Sequence, residues 1–185
     1  MMRKAGVTLA LALVLGLCLE SAGLAAPQPL KIGDPVPPFN LQTLDGKTLS
    51  IASLKGKVVL LDFWATWCGP CRQAMPELKQ LLQKNTGKPL VVVSVSADQN
   101  RKAAEEFVRT NSMSWTQTWD GQGKVIAGVF GVQSLPSYAL IDADGRIAYL
   151  MKGWAPMSSA ALLSQAVTRA LDTACKPSAT ADKPC

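Results

Sequence analysis

The sequence predicts an α/β layered fold: a central mixed sheet flanked by helices, with a β-hairpin added at its N-terminal end. Three observations carry this. Apolar runs of strand length alternate with segments whose apolar residues recur at helical spacing, which requires parallel strand pairs with helical crossovers. The runs Val58–Phe63 and Leu90–Val95 are almost continuously apolar, as in strands covered on both faces. The last two strands are separated only by Asp142-Ala143-Asp144-Gly145, a turn that makes them antiparallel.

The elements follow in order. Pro27 to Pro38 is proline-rich and reads as an extended, irregular lead-in. Phe39-Asn40-Leu41 and Thr48-Leu49-Ser50 flank an Asp45-Gly46 turn and form a hairpin. Val58–Phe63 is a buried strand interrupted by one acid, Asp62. From Arg72 to Asn85, Met75, Leu78, Leu81 and Leu82 recur at helical spacing, and Pro76 removes one donor inside that helix and should kink it. Leu90–Val95 is the second buried strand. Arg101–Arg109 is a helix with Ala104, Phe107 and Val108 facing inward. Trp115–Trp119 reads as a short extended piece and Val125–Phe130 as a short helix. Ser137–Ile141 and Ile147–Met151 are the closing strands. Ser158–Leu171 is the last helix, with Ser158 or Ser159 as its cap.

The two ends read differently from the middle. Arg3 and Lys4 precede an uncharged, mostly apolar run, Ala5–Leu19, and Gly23-Leu24-Ala25 supplies small residues for cleavage. This is the pattern of a secretory signal peptide, residues 1–25, and the run is too short for a spanning helix. A lipid anchor on Cys18 fits poorly, because Leu17 stands where a small residue is wanted. Cleavage would leave a domain over 26–171 and a tail over 172–185, in an extracytoplasmic compartment such as the bacterial periplasm. The tail is rich in Pro, Ser, Ala, Thr and Lys, a poor core former.

Composition excludes some function classes. Of 185 residues, 48% are hydrophobic and 17% charged, enough apolar material for a buried core. The net charge of +6 is not gathered into basic runs, so nucleic acid is not an expected partner. The chain has no His, which removes the commonest general base and the commonest metal ligand. Of five cysteines, Cys18 would leave with the signal, and Cys68, Cys71, Cys175 and Cys185 would remain in an oxidising compartment. Cys175 and Cys185 enclose nine residues of tail. A structural disulfide between them is one expectation; free or intermolecular thiols are the alternatives.

The chemistry gathers at Cys68-Gly69-Pro70-Cys71, on a strand-to-helix junction. Thiol-disulfide exchange needs a thiolate that attacks a sulfur and a second thiol that resolves the mixed disulfide. Cys68 falls at the helix start, where unpaired N–H groups and the helix dipole favour a thiolate; it is the expected nucleophile. Cys71 lies on the same side of the first turn and is the expected resolving thiol. A stapling disulfide or a zinc half-site would be the alternatives, the latter lacking any His and a second Cys-x-x-Cys.

Here a resemblance becomes specific. Trp67-Cys68-Gly69-Pro70-Cys71 is similar to the thioredoxin active-site motif, and Asp62–Trp67 resembles its approach strand. Pro76 matches the helix kink, and Leu135-Pro136 matches the cis-proline loop. The export signal, the lead-in Gly33–Phe39 and the Asp-Gly-Lys hairpin resemble the TlpA/ResA-type branch of extracytoplasmic thioredoxin-like proteins, over roughly 32–171. The resemblance implies a thioredoxin-like fold and a protein-disulfide reductase or oxidoreductase without cofactor or metal. It implies disulfide-bearing protein substrates, a membrane thiol-disulfide electron donor, and service in cytochrome c maturation or at a copper-site thiol.

It also assigns residues. Pro136 would hold a cis bond facing the Cys pair, and the free backbone of Leu135 would pair with a substrate strand. Asp62, a buried acid with a raised pKa, would take the proton of Cys71; a hydrogen-bonded structural Asp is the alternative. Many relatives of this branch carry Asn there. Asp98 matches the position of a second acid, with a cap on the helix from Arg101 as the alternative. Trp67, Gly69 and Pro70 would form the docking rim, with Trp67 also covering the Cys pair, Trp64 would support the loop from below, with plain packing the alternative for both tryptophans, and Gly153 would let a substrate backbone approach. Trp115, Trp119 and Trp154 receive no role. Gly69-Pro70 resembles reducing thioredoxins, since strong oxidants of this fold place a His there. The rival functions are a peroxiredoxin-type peroxidase and a copper or thiol chaperone using Cys68, Cys71 and Met75 or Met113.

Overall fold

The computed structural model describes residues 29–175. The expected signal peptide, Cys18, Cys185 and with it the expected Cys175–Cys185 pair lie outside the described residues. In chain order the elements are β1 (Asn40–Thr43), β2 (Thr48–Ser50), a 3-10 turn (Ile51–Leu54), β3 (Val58–Trp64), α1 (Gly69–Lys84), β4 (Leu90–Ser96), α2 (Arg101–Thr110), β5 (Thr116–Trp119), β6 (Ser137–Ile141), β7 (Ile147–Lys152) and α3 (Ser159–Ala174). They build one seven-stranded sheet in the order β2-β1-β5-β4-β3-β6-β7. β3, β4 and β5 are parallel neighbours, and β6 and β7 extend the sheet antiparallel on the other side of β3. The N-terminal hairpin joins the far edge by pairing β1 with β5.

β3 sits at the centre and all seven of its residues are buried. Its alternation divides the core. Val59, Leu61 and Phe63 face one layer with Val93, Val95, Ile126, Phe130 and Ile141. Val58 and Leu60 face the other with Ala74, Leu78 and Leu81 of α1 and Leu163, Val167 and Leu171 of α3. Asp62 and Trp64 share this second parity, so the one acid in the central strand points to the α1 side. The lead-in is less irregular than its prolines suggest. Gly33 N–H donates to Ile147 O, Ile147 N–H to Asp34 O and Val36 N–H to Gly145 O, which pins it beside the β6–β7 turn.

Two expectations are corrected. Val125–Phe130 is not a helix but a series of overlapping wide turns, in which Phe130 N–H reaches Val125 O and Val132 N–H reaches Ile126 O. Asp120 Oδ2 accepts the Val125 and Ile126 N–H groups at 2.9 and 2.7 Å, fixing the start. Val125, Ile126 and Phe130 are all buried in the core. Neither serine caps α3 through its side chain. Ser158 holds the cap position without a cap bond, and Ser159 Oγ accepts the Ala155 N–H at 2.9 Å. α3 also continues to Ala174, past Leu171. Among the described residues no helix is long and apolar enough to cross a membrane.

Candidate active site

Cys68 is the N-cap of α1, with Pro70 in its first turn, and the helix runs unbroken through Pro76. Cys68 and Cys71 form a disulfide, S–S 2.01 Å, Cα–Cα 5.3 Å. The Cys71 N–H points at Cys68 Sγ from 3.2 Å, so a backbone donor at the positive end of the helix dipole faces this sulfur. The pair is largely enclosed, Cys68 at 5% and Cys71 at 3% exposure. It packs with Trp64, Ala65, Met75 and Met113, and Leu135 lies against the same cluster. Around this small apolar opening Gly69 and Pro70 are exposed and Trp67 stands out at 70% exposure. Trp64, by contrast, is buried in the cluster that holds the pair.

The Leu135–Pro136 peptide bond is cis. Pro136 is buried, and its carbonyl accepts the Gly153 N–H at 2.7 Å. Leu135 itself makes no backbone hydrogen bond among the described residues. Gly153 has a φ of +76°, a conformation that favours glycine, and nothing lies within 4 Å of where a Cβ would stand.

Asp62 is 3% exposed. Ser94 Oγ donates to its Oδ2 at 2.7 Å. Burial outweighs this bond and pushes the carboxyl up to about 7. The Ser94 oxygen in turn accepts the Trp115 indole N–H at 2.8 Å. Tyr138 is the β6 partner of Asp62, and its buried hydroxyl has no hydrogen-bond partner among the described residues. Burial, and secondarily the Asp62 charge, raise the Tyr138 phenol well above its usual range.

Asp98 does not cap α2. Asn100 does, its side chain accepting the Lys102 N–H at 3.0 Å. The Asp98 carboxylate instead accepts the Thr66 N–H at 3.0 Å, the Thr66 hydroxyl at 2.6 Å and the Ser96 hydroxyl at 2.8 Å. It anchors the loop two residues before Cys68. The Asp98 carbonyl accepts the Trp119 indole N–H at 2.5 Å. The sequence reading missed Thr66, Ser94, Ser96 and the roles of Trp115 and Trp119. The signal for the serines is present: in Leu-Val-Val-Val-Ser-Val-Ser, two hydroxyls interrupt a strand buried on both faces.

The geometry suits dithiol–disulfide chemistry, and comparison with known proteins agrees. Residues 31–162 match the family described as Redoxin. The thiol-disulfide oxidoreductase ResA of Bacillus anthracis is 34% identical over 141 residues, 76% of this chain and 81% of that protein. The thioredoxin-like protein YneN of Bacillus subtilis is 40% identical over 118 residues, 62% of this chain and 68% of its own. Among solved structures, a Chlorobium tepidum protein assigned as thiol:disulfide interchange protein DsbE is similar with a TM-score of 0.72 and 34% identity, over 77% of this chain and 99% of that one. A secreted Mycobacterium tuberculosis disulfide oxidoreductase has a TM-score of 0.62 and 28% identity, over 71% and 95%.

Proposed function

The chain belongs to the Redoxin family as a ResA-like thiol-disulfide oxidoreductase, and from that premise we propose that it is an exported reductase of protein disulfides. Cys68 attacks a substrate sulfur as a thiolate, supported by its place at the N-terminus of α1 and by the Cys71 N–H. Cys71 resolves the mixed disulfide and Asp62 takes its proton. The substrate segment lies on the rim of Trp67, Gly69 and Pro70 and pairs with the open Leu135 backbone of the Pro136 loop, with open space at Gly153. Gly69-Pro70 favours the reducing direction, and a membrane thiol carrier supplies the electrons. Cytochrome c apoprotein is the client class that the family resemblance supports, and the N-terminal pattern of residues 1–25 supports export to the periplasm.

One observation carries the reading: a disulfide at a helix N-terminus, backed on the α1 side of the sheet by a buried acid held near neutrality. Cys71→Ser should leave Cys68 able to attack but unable to release, so disulfide-linked clients accumulate in cells. Cys68→Ser should abolish disulfide reduction and trap nothing. A reduction potential near that of thioredoxin, about −270 mV, is expected, and one near about −120 mV would place the protein among oxidants instead. A second reading draws on Met75 and Met113, which share one buried cluster with Cys68 and Cys71. With the cysteines reduced they form a soft donor set for Cu(I). Stoichiometric Cu(I) retention without reductase activity would favour it.

A further inference from the structure

Under α1 the sheet carries a row of polar residues in register. Gln117 of β5 pairs with Ser94 of β4, Ser94 with Asp62 of β3, and Asp62 with Tyr138 of β6. Paired residues on neighbouring strands share a face, so the four side chains line up beneath the layer that holds the Cys pair. All are buried, Ser94 completely and Gln117 to 7% exposure. Only the middle of the row is bonded: Trp115 Nε1 donates to Ser94 Oγ and Ser94 donates to Asp62. Neither atom of the Gln117 amide has a partner among the described residues. A buried primary amide with four unused hydrogen-bond sites is costly, and an apolar residue would be cheaper there. Gln117 and Trp115 also line a surface cleft of about 450 Å³, bounded by Thr43, Leu44 and Lys47 of the hairpin and by Met113.

We propose that Gln117 and Ser94 form a proton path from the Asp62 carboxyl to this cleft, so that the proton leaves on the side away from the bound substrate. The inference rests on Asp62 being the proton acceptor of Cys71. In the resolving step Cys71 gives its proton to Asp62, its sulfur bonds to Cys68 Sγ, and the Cys68–substrate S–S bond breaks. The dithiol's two electrons leave with the substrate thiolate, which solvent protonates. Asp62 is then neutral, and unless the proton returns to Cys71 when the pair is re-reduced it must reach solvent. Its exit past the sulfurs is closed by substrate and by Cys68, Cys71 and Trp64, each at 5% exposure or less. On the other side, the Trp115 N–H holds the Ser94 oxygen in place while its hydroxyl turns. The hydroxyl donates to Asp62 when the carboxylate is charged. When Asp62 is protonated, it accepts from Asp62 and donates toward Gln117. Ser94 and Gln117 are paired directly across neighbouring strands, about 4.8 Å apart at the backbone, a separation that one bridging water would span.

The test uses the oxidised protein, in which the cysteines do not titrate, with ¹³Cγ-labelled aspartate read by NMR. Wild type should show one exchange-averaged Asp62 line across its titration. Gln117→Leu, an apolar near-isostere, should keep the midpoint but slow proton exchange at least tenfold, splitting or broadening the line. Gln117→Asn should restore most of the exchange, and Trp115→Phe should slow it. An averaged line in Gln117→Leu like that of wild type would overturn the path. So would a moved midpoint with unchanged exchange, which would make Gln117 merely structural. The underlying reading has its own control. Asp62→Asn should slow resolution of a preformed mixed disulfide on Cys68 at least tenfold. If resolution is unaffected, Asp62 is not the acceptor and the reading falls with the path; if it slows while Gln117→Leu exchanges normally, only the path falls.

Discussion

Asp62 and Asp98 are each 3% exposed, yet they meet different surroundings. Asp98 receives two donors from Thr66 and one from Ser96. Asp62 receives one, from Ser94. A carboxylate with three short donors is held as an anchor, and here it ties the loop before Cys68 to the end of β4. A carboxylate with a single donor in an apolar layer is under-solvated and keeps its proton toward neutral pH. Burial is equal in the two; the number of donors separates them.

The largest expected effect breaks the comparison at Asp62. Its carboxyl is raised from an ordinary 3.8 to about 7, because burial disfavours the charged form. The native state therefore holds this proton to higher pH than the unfolded chain, and stability falls as pH rises between about 4 and about 7, then levels off. A gap of about 3 pH units corresponds to about 4 kcal/mol. Asp62→Asn should match wild type near pH 4 and exceed it by up to about 4 kcal/mol at pH 8, measured by urea unfolding of the oxidised protein. Parallel stability–pH curves would remove the case for a poised acid.

At Asp98 the sign reverses. Asp98→Ala leaves the Thr66 N–H and hydroxyl without their acceptor in a part-buried loop. A cost of about 3 kcal/mol is expected, a fall in Tm of about 10 °C. Reductase activity should drop as well, because Thr66 stands two residues before Cys68. A variant as stable and active as wild type would show that the loop needs no anchor.

How much of this was legible follows from what kind of contact is involved. The sheet, the crossovers and the placement of Cys68 at a helix start are local properties of apolar period and turn residues, and Val58–Phe63 and Leu90–Val95 read correctly. The 125–130 segment did not: its backbone bonds run as overlapping wide turns, and its start is tied to Asp120, a residue outside the window. Asp98 was read between a cap and a second site acid, since both depend on its own neighbourhood; its main partner, Thr66, is 32 residues away. Trp115 receives no role from the sequence for the same reason: its indole bond to Ser94 crosses from a loop to β4. Burial of Asp62 could be read from its strand, but its single donor could not, because only the β3–β4 register sets Ser94 beside it.

The smallest effects come from making one chemical change under each acid. Ser94→Ala removes the only donor Asp62 has among the described residues. A hydrogen bond to a charged group is worth about 1.5 kcal/mol, so the Asp62 midpoint should rise by about one pH unit above its wild-type position. Ser96→Ala removes one of three donors from Asp98 and leaves Thr66 in place. It should cost about 1 kcal/mol of stability and leave the Asp62 midpoint where it was. The ¹³Cγ titration of the oxidised protein measures both. If both serines move that midpoint, the two acids are electrostatically coupled and cannot be treated as separate devices. If neither does, burial alone sets Asp62, and the Ser94 bond contributes nothing to its poise.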